Sequence, residues 1–371
     1  MQTAAYILSV IKMYIHKKLS KLTMFMKCFG VMIVAGCLIV FSESSSKGVL
    51  NGLTFSLKVL VPSLFPFMAL ASFVVKSGLS DKIGKPFAFV MRNFFGLNSC
   101  FAPILFLSLI GGYPVGARGV SSMFKNGMIS EHQAKKFALF AVCAGPGFII
   151  NFVGVAMYKS ELLGIIILFS QIISVLIIGI LLNLLDKKRK ELSPEFKYNE
   201  KLHTNSLSNA VVESAIDGSK GILNICTFVV LFSAFIQIVT DISDNNIFNN
   251  IFSCTFEVCS AVNSLSQNCS AETVAFSIGF GGLCVHFQIY SVLGKININK
   301  LAFFFIRIIQ GLITALFTHI GCKIFLGTQT VFSTSTAENA KIYGGSLVSG
   351  FVLILVAICF LCSLKNCRQK I

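Results

Sequence analysis

The chain has 371 residues, of which 55% are hydrophobic and only 12% are charged, and its mean hydropathy is +0.80. Ordinary soluble domains carry about 25% charged residues, so this composition argues against a soluble fold and indicates one polytopic membrane domain. The net charge is +16, but the basic residues lie between apolar runs, so we expect contact with membrane lipid and not with nucleic acid.

The 13 cysteines are an odd number, and most lie inside apolar segments, as Cys143 and Cys284 do. Buried cysteine behaves as a small hydrophobic residue, so the sequence predicts no disulfide framework. Cys359 and Cys362 have CxxC spacing, but no second pair lies nearby, and we interpret them as packing residues. No metal site and no cofactor is predicted.

The N-terminal segment, 1–49, is a basic stretch followed by the first apolar run, 28–41. This pattern resembles a signal peptide, and residues 34–37 resemble a lipoprotein cleavage site. Because several apolar spans follow, an uncleaved first transmembrane helix is the stronger interpretation. The basic flank predicts a cytoplasmic N-terminus.

The next segment, 50–185, is predicted as the first of two similar halves. Its first span, 50–75, contains Pro62 and Pro66, which predict a kink. Residues 76–98 are too polar for a plain span and fit either an interfacial amphipathic helix or one arm of a re-entrant hairpin.

The following apolar segment cannot stay an ordinary helix beyond Ile110. Glycine loosens the backbone there, proline removes an amide donor, and Arg118 adds a fixed charge beside the break. Because the surroundings are apolar, we expect this break at membrane depth, where non-helical backbone is tolerated only inside protein or beside a wet cavity. Transporters use such broken helices to present free backbone groups to a solute. The residues that break the helix are Gly111, Gly112, Pro114 and Gly116.

A polar connection follows, in which Ser130 and Gln133 resemble a capping box. The next span, 136–158, has its own break at 143–148, which contains Gly145 and Pro146, and Asn151 follows within one turn. Two Gly/Pro interruptions in neighbouring segments favour a shared site, whereas two independent structural kinks are the alternative.

The span 162–185 ends in the basic cluster 186–190, which we expect in the cytoplasm. Residues 186–217 are predicted as a polar basic connection, 218–364 as the second half, and 365–371 as a basic tail. The second half comprises a span at 218–240, a semi-polar stretch at 250–270, a glycine-broken segment at 275–290, and spans at 301–325 and 346–364.

The predicted fold is an all-α polytopic membrane protein with two loosely repeated halves, helices broken by glycine and proline, and re-entrant hairpins. If the hairpins do not cross the membrane, each half has three crossings and the halves are inverted. The cluster 186–190 then lies inside and Asp241 and Asp244 outside, but the basic tail also lies outside, against the positive-inside tendency. The orientation is therefore left open.

The motif at 112–118, Gly-Tyr-Pro-Val-Gly-Ala-Arg, resembles the signature of the YlbJ (SpoVV) family of sporulation integral membrane proteins, within the nucleoside-recognition or Gate-domain superfamily. This chain departs from the family at Cys143 and Ala144, where polar residues are typical, and at Cys259 and Ser260, where Thr/Ser-Gly is typical. These departures concern the substrate more than the fold. Four further segments occur in the family's order, at 61–67, 143–150, 256–258 and 281–288.

The resemblance implies a multi-pass protein in the cell membrane of endospore-forming bacteria, and specifically in the outer forespore membrane. It implies a transporter that moves dipicolinic acid made in the mother cell. Two alternatives are a nucleoside-type or other small-metabolite carrier and a non-transporting membrane protein needed for spore assembly. No Walker, zinc-helix or nucleophile-elbow motif occurs, so we expect no enzyme and no catalytic residues.

Dipicolinate is a planar dianion, so its site needs positive potential. Broken helices supply helix N-termini, and Arg118 could bind a carboxylate through two hydrogen bonds; snorkelling to the interface is the alternative. Glu257 could couple transport to protons or pair with Arg118. His286 and Gln288 could hydrogen-bond the solute, although an interior structural histidine is also common. The candidate solute-binding residues are Gly112, Tyr113, Pro114, Gly116, Arg118, Gly145, Pro146, Asn151, Glu257, Gly281, Gly282, His286 and Gln288.

Overall fold

All regular structure in the described part of the chain is helical, and no strand occurs there. The predictions for the basic N-terminus, for the cluster that follows Asp186, and for the last span with its CxxC pair and basic tail fall outside the described residues. The computed structural model describes residues 24, 26–186, 207–243, 245–266 and 269–326.

Thirteen α-helices organise the described residues. A 3-10 turn (Lys85–Phe87), a short helix (Ala88–Val90) and a π-helical turn (Met91–Phe95) follow α3, and a longer π-helix (Gly147–Met157) follows α6. The α-helices that carry labels below are α1 (Met26–Val40), α2 (Ser42–Lys76), α3 (Leu79–Gly84), α4 (Phe101–Gly111), α5 (Tyr113–Lys125), α6 (Glu131–Phe140), α7 (Glu161–Leu185), α8 (Leu207–Ile242), α9 (Asn246–Phe256), α10 (Val258–Leu265), α11 (Ala271–Phe280), α12 (Gly282–Leu293) and α13 (Lys300–Phe325).

By length and composition, five of the described helical stretches can cross a membrane: α2, α7, α8, α13 and the consecutive pair α11–α12. Many large apolar side chains on them are exposed, for example Leu57, Phe169, Leu223 and Leu301. Exposed leucine and phenylalanine on this scale are what lipid contact requires. The all-α polytopic prediction is therefore confirmed.

Helix α2 runs through both of its prolines. Proline lacks the amide that would bond one turn back, and the hydrogen-bonding pattern widens into a π-helical turn at Ser56–Leu60, directly before Pro62. The Ser63 hydroxyl also donates to the Val59 carbonyl at 2.6 Å. These adjustments keep the segment helical at membrane depth.

Helix α8 begins at Leu207, well before the predicted start of its span at residue 218. The prediction was wrong there because the added turns are polar. Their carboxylates find partners on α2: Lys76 Nζ lies 3.1 Å from Glu213 Oε2 and 2.7 Å from Asp217 Oδ2. Tertiary ion pairing thus extends a helix that the hydropathy pattern alone would end.

Side-chain caps fix several helix starts. Ser130 accepts from the Gln133 amide and the Gln133 side chain accepts from the Ser130 amide, which confirms the predicted capping box before α6. Ser160 caps α7 and Asn299 caps α13 through the amides of Leu163 and Ala302. Each cap satisfies an amide that the helix itself leaves free.

Glycine allows the long helices to approach closely. Gly48 and Gly52 of α2 face α8, where added Cβ atoms would lie 2.6 Å from the Ser233 carbonyl oxygen and 2.9 Å from Val230 Cα. Gly279 of α11 faces Gly311 of α13 in the same way, with 2.6 Å to Gly311 Cα. Small residues in such positions are typical of helix packing in membranes, where van der Waals contact drives association.

The broken segments lie between these helix pairs. Helix α5 packs against α2 and α12, the π-helix Gly147–Met157 packs on α7, and α11 packs on α13. A long helix, broken segments and a membrane-length helix follow one another in 42–185 and again in 207–325. That the halves are inverted repeats stays a prediction.

Candidate solute site

A cavity of about 750 Å³ lies among the broken helices. Its walls come from α2, the α4–α5 break, residues 144–148, the π-helix, α8, the α9–α10 break and α12. The structure therefore gathers eight predicted residues from distant parts of the chain around one space. They are Gly112, Tyr113, Pro114, Gly145, Pro146, Asn151, Glu257 and Gln288.

The remaining five predicted residues do not line the cavity. They are Gly116, Arg118, Gly281, Gly282 and His286. Gly116 serves packing behind the wall, because an added Cβ would lie 2.5 Å from the Ala141 carbonyl oxygen and 2.6 Å from Ser108 Oγ.

The two predicted breaks of the first half contact each other. Gly112 has φ +94°, a conformation that residues with a side chain rarely adopt, and it begins α5 with Pro114 in the first turn. A Cβ added at Gly145 would lie 2.9 Å from the Ile110 carbonyl oxygen and 3.3 Å from the Gly112 amide nitrogen. Glycine at both places lets one unwound backbone lie against the other.

The stretch 141–145, between α6 and the π-helix, is not helical, so its backbone groups need side-chain partners. Ser108 Oγ donates to the Ala141 carbonyl at 2.8 Å, and the Ala144 amide donates to Gln171 Oε1 at 3.1 Å. Two side chains of α13 donate to the Val142 carbonyl: Arg307 Nη1 at 2.7 Å and Gln310 Nε2 at 2.8 Å. The break is thus a satisfied, buried feature.

Tyr113 ties this first-half site to the second half. Its hydroxyl donates to the Ile278 carbonyl of α11 at 2.8 Å, and Gln171 Nε2 donates to the same carbonyl at 3.4 Å. A wall residue of the cavity is therefore held by a helix whose sequence position is 165 residues away. Movement of α11 relative to α5 would break this contact.

Glu257 occupies a second kind of break, the extended residue between α9 and α10 with φ −149° and ψ 124°. Its carboxylate accepts the amides of Cys259 at 2.9 Å and Ser260 at 2.7 Å, and the residue is 1% exposed. Glu257 therefore caps α10 from the cavity wall. The alternative in which it pairs with Arg118 is not what the structure contains.

The glycine break of the second half separates α11 from α12. Gly281 and Gly282 have φ +83° and +67°, and an added Cβ at Gly282 would lie 3.0 Å from the Phe256 carbonyl oxygen. His286 is 1% exposed, and its Nδ1 lies 2.7 Å from the Gly282 carbonyl oxygen, while Nε2 has no protein partner. Gln288 lines the cavity, with Nε2 3.2 Å from Cys284 Sγ.

Arg118 is not among the residues that line the cavity. Its Nη2 donates to the Asp217 carbonyl oxygen at 2.6 Å and lies 3.5 Å from Asp217 Oδ1. Asp217 Oδ2 also forms an ion pair with Lys76 and accepts a hydrogen bond from the Ser72 hydroxyl. Arg118 thus joins α5 to α2 and α8 as one member of an ion-pair cluster, and this geometry does not support its predicted role as a solute ligand.

We expect Asp217→Asn to lower the free energy of unfolding by about 1–3 kcal/mol, because Lys76 and Arg118 would face each other without their shared carboxylate. Thermal unfolding in detergent measures this. The matched control is Glu131→Gln in the exposed i,i+4 pair with Lys135, which should leave the stability nearly unchanged. Equal stability of Asp217→Asn and wild type would contradict the cluster's role.

Sequence reasoning missed Arg307 and Lys58. Lys58 lines the cavity from the π-helical turn of α2. Arg307 is 0% exposed and lies seven residues into the apolar helix α13. A lone arginine inside the run 301–325 was the signal that could have found it, since ionisable residues within membrane spans are functional by default.

The described cysteines are free thiols, and the described ranges contain no group of three or more His, Cys, Asp or Glu residues placed to hold a metal ion. The arrangement is a mostly apolar cavity with a few polar side chains and with broken-helix ends in its walls.

Comparison with known proteins adds one relationship. Over 337 residues the chain is 22% identical to the sporulation integral membrane protein YlbJ of Bacillus subtilis (strain 168), which covers 81% of this chain and 83% of that protein. This similarity supports the resemblance to the YlbJ family that the motif at 112–118 indicates. No family model matches the chain, and no solved structure matches it.

The name of that relative describes an integral membrane protein, which agrees with the helical architecture and the five membrane-length helical stretches of the described residues. The aligned length covers most of both chains, so the similarity extends well beyond the motif at 112–118.

Proposed function

We propose that the protein is a permease for a small organic anion in sporulation, with dipicolinate as the best candidate, moved across the outer forespore membrane. The cavity is the observation that carries this proposal. At about 750 Å³ it falls in the range of about 300–1,000 Å³ usual for small-ligand sites, and broken helices surround it.

Helix N-termini supply the positive potential that an anion needs. Tyr113 begins α5, Gly147 begins the π-helix and Val258 begins α10, and all three residues line the cavity. The first amides of a helix have no partner within it and carry partial positive charge. The ends of α5 and the π-helix favour a carboxylate-bearing solute over a cation, while the end of α10 already holds the Glu257 carboxylate.

The two charged residues of the wall have separate roles in this proposal. Lys58 attracts the anion from the rim, where its side chain is exposed. The Glu257 carboxylate already takes two α10 amides, so it occupies one anion position and is the candidate for proton coupling.

The first test is made in the sporulating host. We expect spores of a strain that lacks the gene to be strongly depleted of dipicolinate, while the mother cell still accumulates it. Chemical assay of dipicolinate in purified spores and in mother-cell lysate measures both pools. Expression of the wild-type gene in the deletion strain should restore the spore pool.

Unchanged spore dipicolinate would overturn dipicolinate as the substrate. Depletion of both pools would also contradict a transport step, because it would indicate that synthesis fails.

A further inference from the structure

Arg307 holds the breaks of both halves together. Its Nε donates to the Phe280 carbonyl, next to the glycine break of the second half, at 3.1 Å. Its Nη1 donates to the Val142 carbonyl in the unwound stretch of the first half and to Gln310 Oε1. One guanidinium therefore connects the unwound stretch of the first half to the end of α11, just before the glycine break of the second half.

Among the residues that the structure describes, no acidic side chain pairs with the Arg307 guanidinium. All of its protein partners are neutral oxygens, and no Asp or Glu among the described residues forms an ion pair with it. Its Nη2 is buried and has no hydrogen-bond partner. Burying an unpaired guanidinium costs several kcal/mol, and an unsatisfied buried donor adds about 1–3 kcal/mol. If Arg307 only held these carbonyls in place, its charge would not be required, because a neutral amide side chain also donates hydrogen bonds.

Arg307 lies directly behind the cavity wall. Its guanidinium carbon is 5.8 Å from the centre of the Tyr113 ring, and Tyr113 lines the cavity. Val142, which it holds, is two residues from Ala144, another wall residue. A charge this close acts strongly on the cavity, because the buried surroundings screen it far less than water does.

We propose that Arg307 is the residue that makes the site select anions: its uncompensated charge sets the preference for carboxylates, while its neutral hydrogen bonds fix the wall. This inference rests on the proposed function and adds the residue that gives the site its preference for anions. Arg307 is a positioning and selectivity residue here, since Tyr113 stands between it and the cavity.

Two ligands of similar shape but different charge distinguish the effect of charge on binding from the effect of shape. They are dipicolinate, a dianion, and its dimethyl ester, which is neutral. Equilibrium binding of both to the purified full-length protein gives a ratio of dissociation constants. We expect Arg307→Gln to weaken dipicolinate binding by about tenfold or more and to change ester binding little. Arg307→Lys keeps the charge, so it should retain most of the preference for the dianion.

A second variant leaves Arg307 in place. Gln310→Glu keeps the oxygen that accepts from Nη1 but places a carboxylate on the guanidinium. We expect Gln310→Glu to weaken dipicolinate binding as Arg307→Gln does. It therefore tests the role of the Arg307 charge even if Arg307→Gln does not fold. The matched control is Arg118→Gln, whose lost charge was balanced by Asp217 and whose ligand preference should equal that of wild type.

The outcomes separate the two proposals. If wild type binds neither ligand, the proposed function fails. If wild type binds both ligands equally, or if either neutralised variant keeps the wild-type ratio, the role of Arg307 is overturned while a small-solute site stands. A shifted ratio in Arg118→Gln would also contradict the assignment to Arg307.

Discussion

Replacing Gly145 by alanine should nearly abolish solute transport. The added Cβ would lie 2.9 Å from the Ile110 carbonyl oxygen, 3.3 Å from the Gly112 amide nitrogen and 3.4 Å from the Gly111 carbonyl carbon. All three are backbone atoms of the neighbouring break, so no side-chain rotation can relieve these close contacts. The two unwound segments must separate, and both form the cavity wall.

Overpacking of this kind costs about 1–3 kcal/mol, and we expect uptake to fall by about tenfold or more. The matched control is Gly147→Ala, two residues away. A Cβ at Gly147 would meet only Ser63 Cβ, at an ordinary 3.6 Å, although Gly147 also lines the cavity. Gly147→Ala should therefore transport nearly as wild type does. Similar activity in the two variants would show that contact between the breaks is unimportant.

Replacing Gly311 by leucine should destabilise the whole protein. A Cβ at this position of α13 would lie 2.8 Å from the Phe276 carbonyl oxygen and 2.9 Å from Phe276 Cδ2. The facing Gly279 leaves no room on α11, since its own added Cβ would meet Gly311 Cα at 2.6 Å. The helices would have to move apart and release the carbonyls that Arg307 and Gln310 hold.

We expect Gly311→Leu to lose about 3 kcal/mol or more of unfolding free energy and to accumulate poorly in the membrane. Thermal unfolding in detergent and the membrane yield measure the effect. Gly36→Leu in α1 is the matched control, because an added Cβ there meets nothing within 4 Å. A Gly311→Leu protein as stable as wild type would contradict the close α11–α13 contact.

Local signals predicted the helix breaks well. Glycine and proline at 111–116 and 145–147 interrupt helices for reasons contained in the residues themselves, and the structure has breaks at both places. The capping box at Ser130 was predictable on the same ground, since its partner lies three residues away. The gathering of these breaks around a single cavity could be suspected from sequence, but its walls also depend on α2, α8 and α12.

Long-range partners could not be predicted. Arg118 looked like a free cation beside a break because Asp217, its partner, lies 99 residues further along the chain on a polar extension of α8. A lone arginine in an apolar run was a visible signal for Arg307, but its partners, the carbonyls of Val142 and Phe280, leave no mark in composition or periodicity. For both arginines, tertiary packing between distant parts of the chain determines the partners.

Uptake of radiolabelled dipicolinate into proteoliposomes that contain only the purified protein tests the central claim most directly. The account predicts saturable, protein-dependent uptake that Gly145→Ala removes and Gly147→Ala leaves nearly intact. The absence of protein-dependent uptake in any imposed proton or charge gradient would contradict it, and so would equal uptake by the two glycine variants.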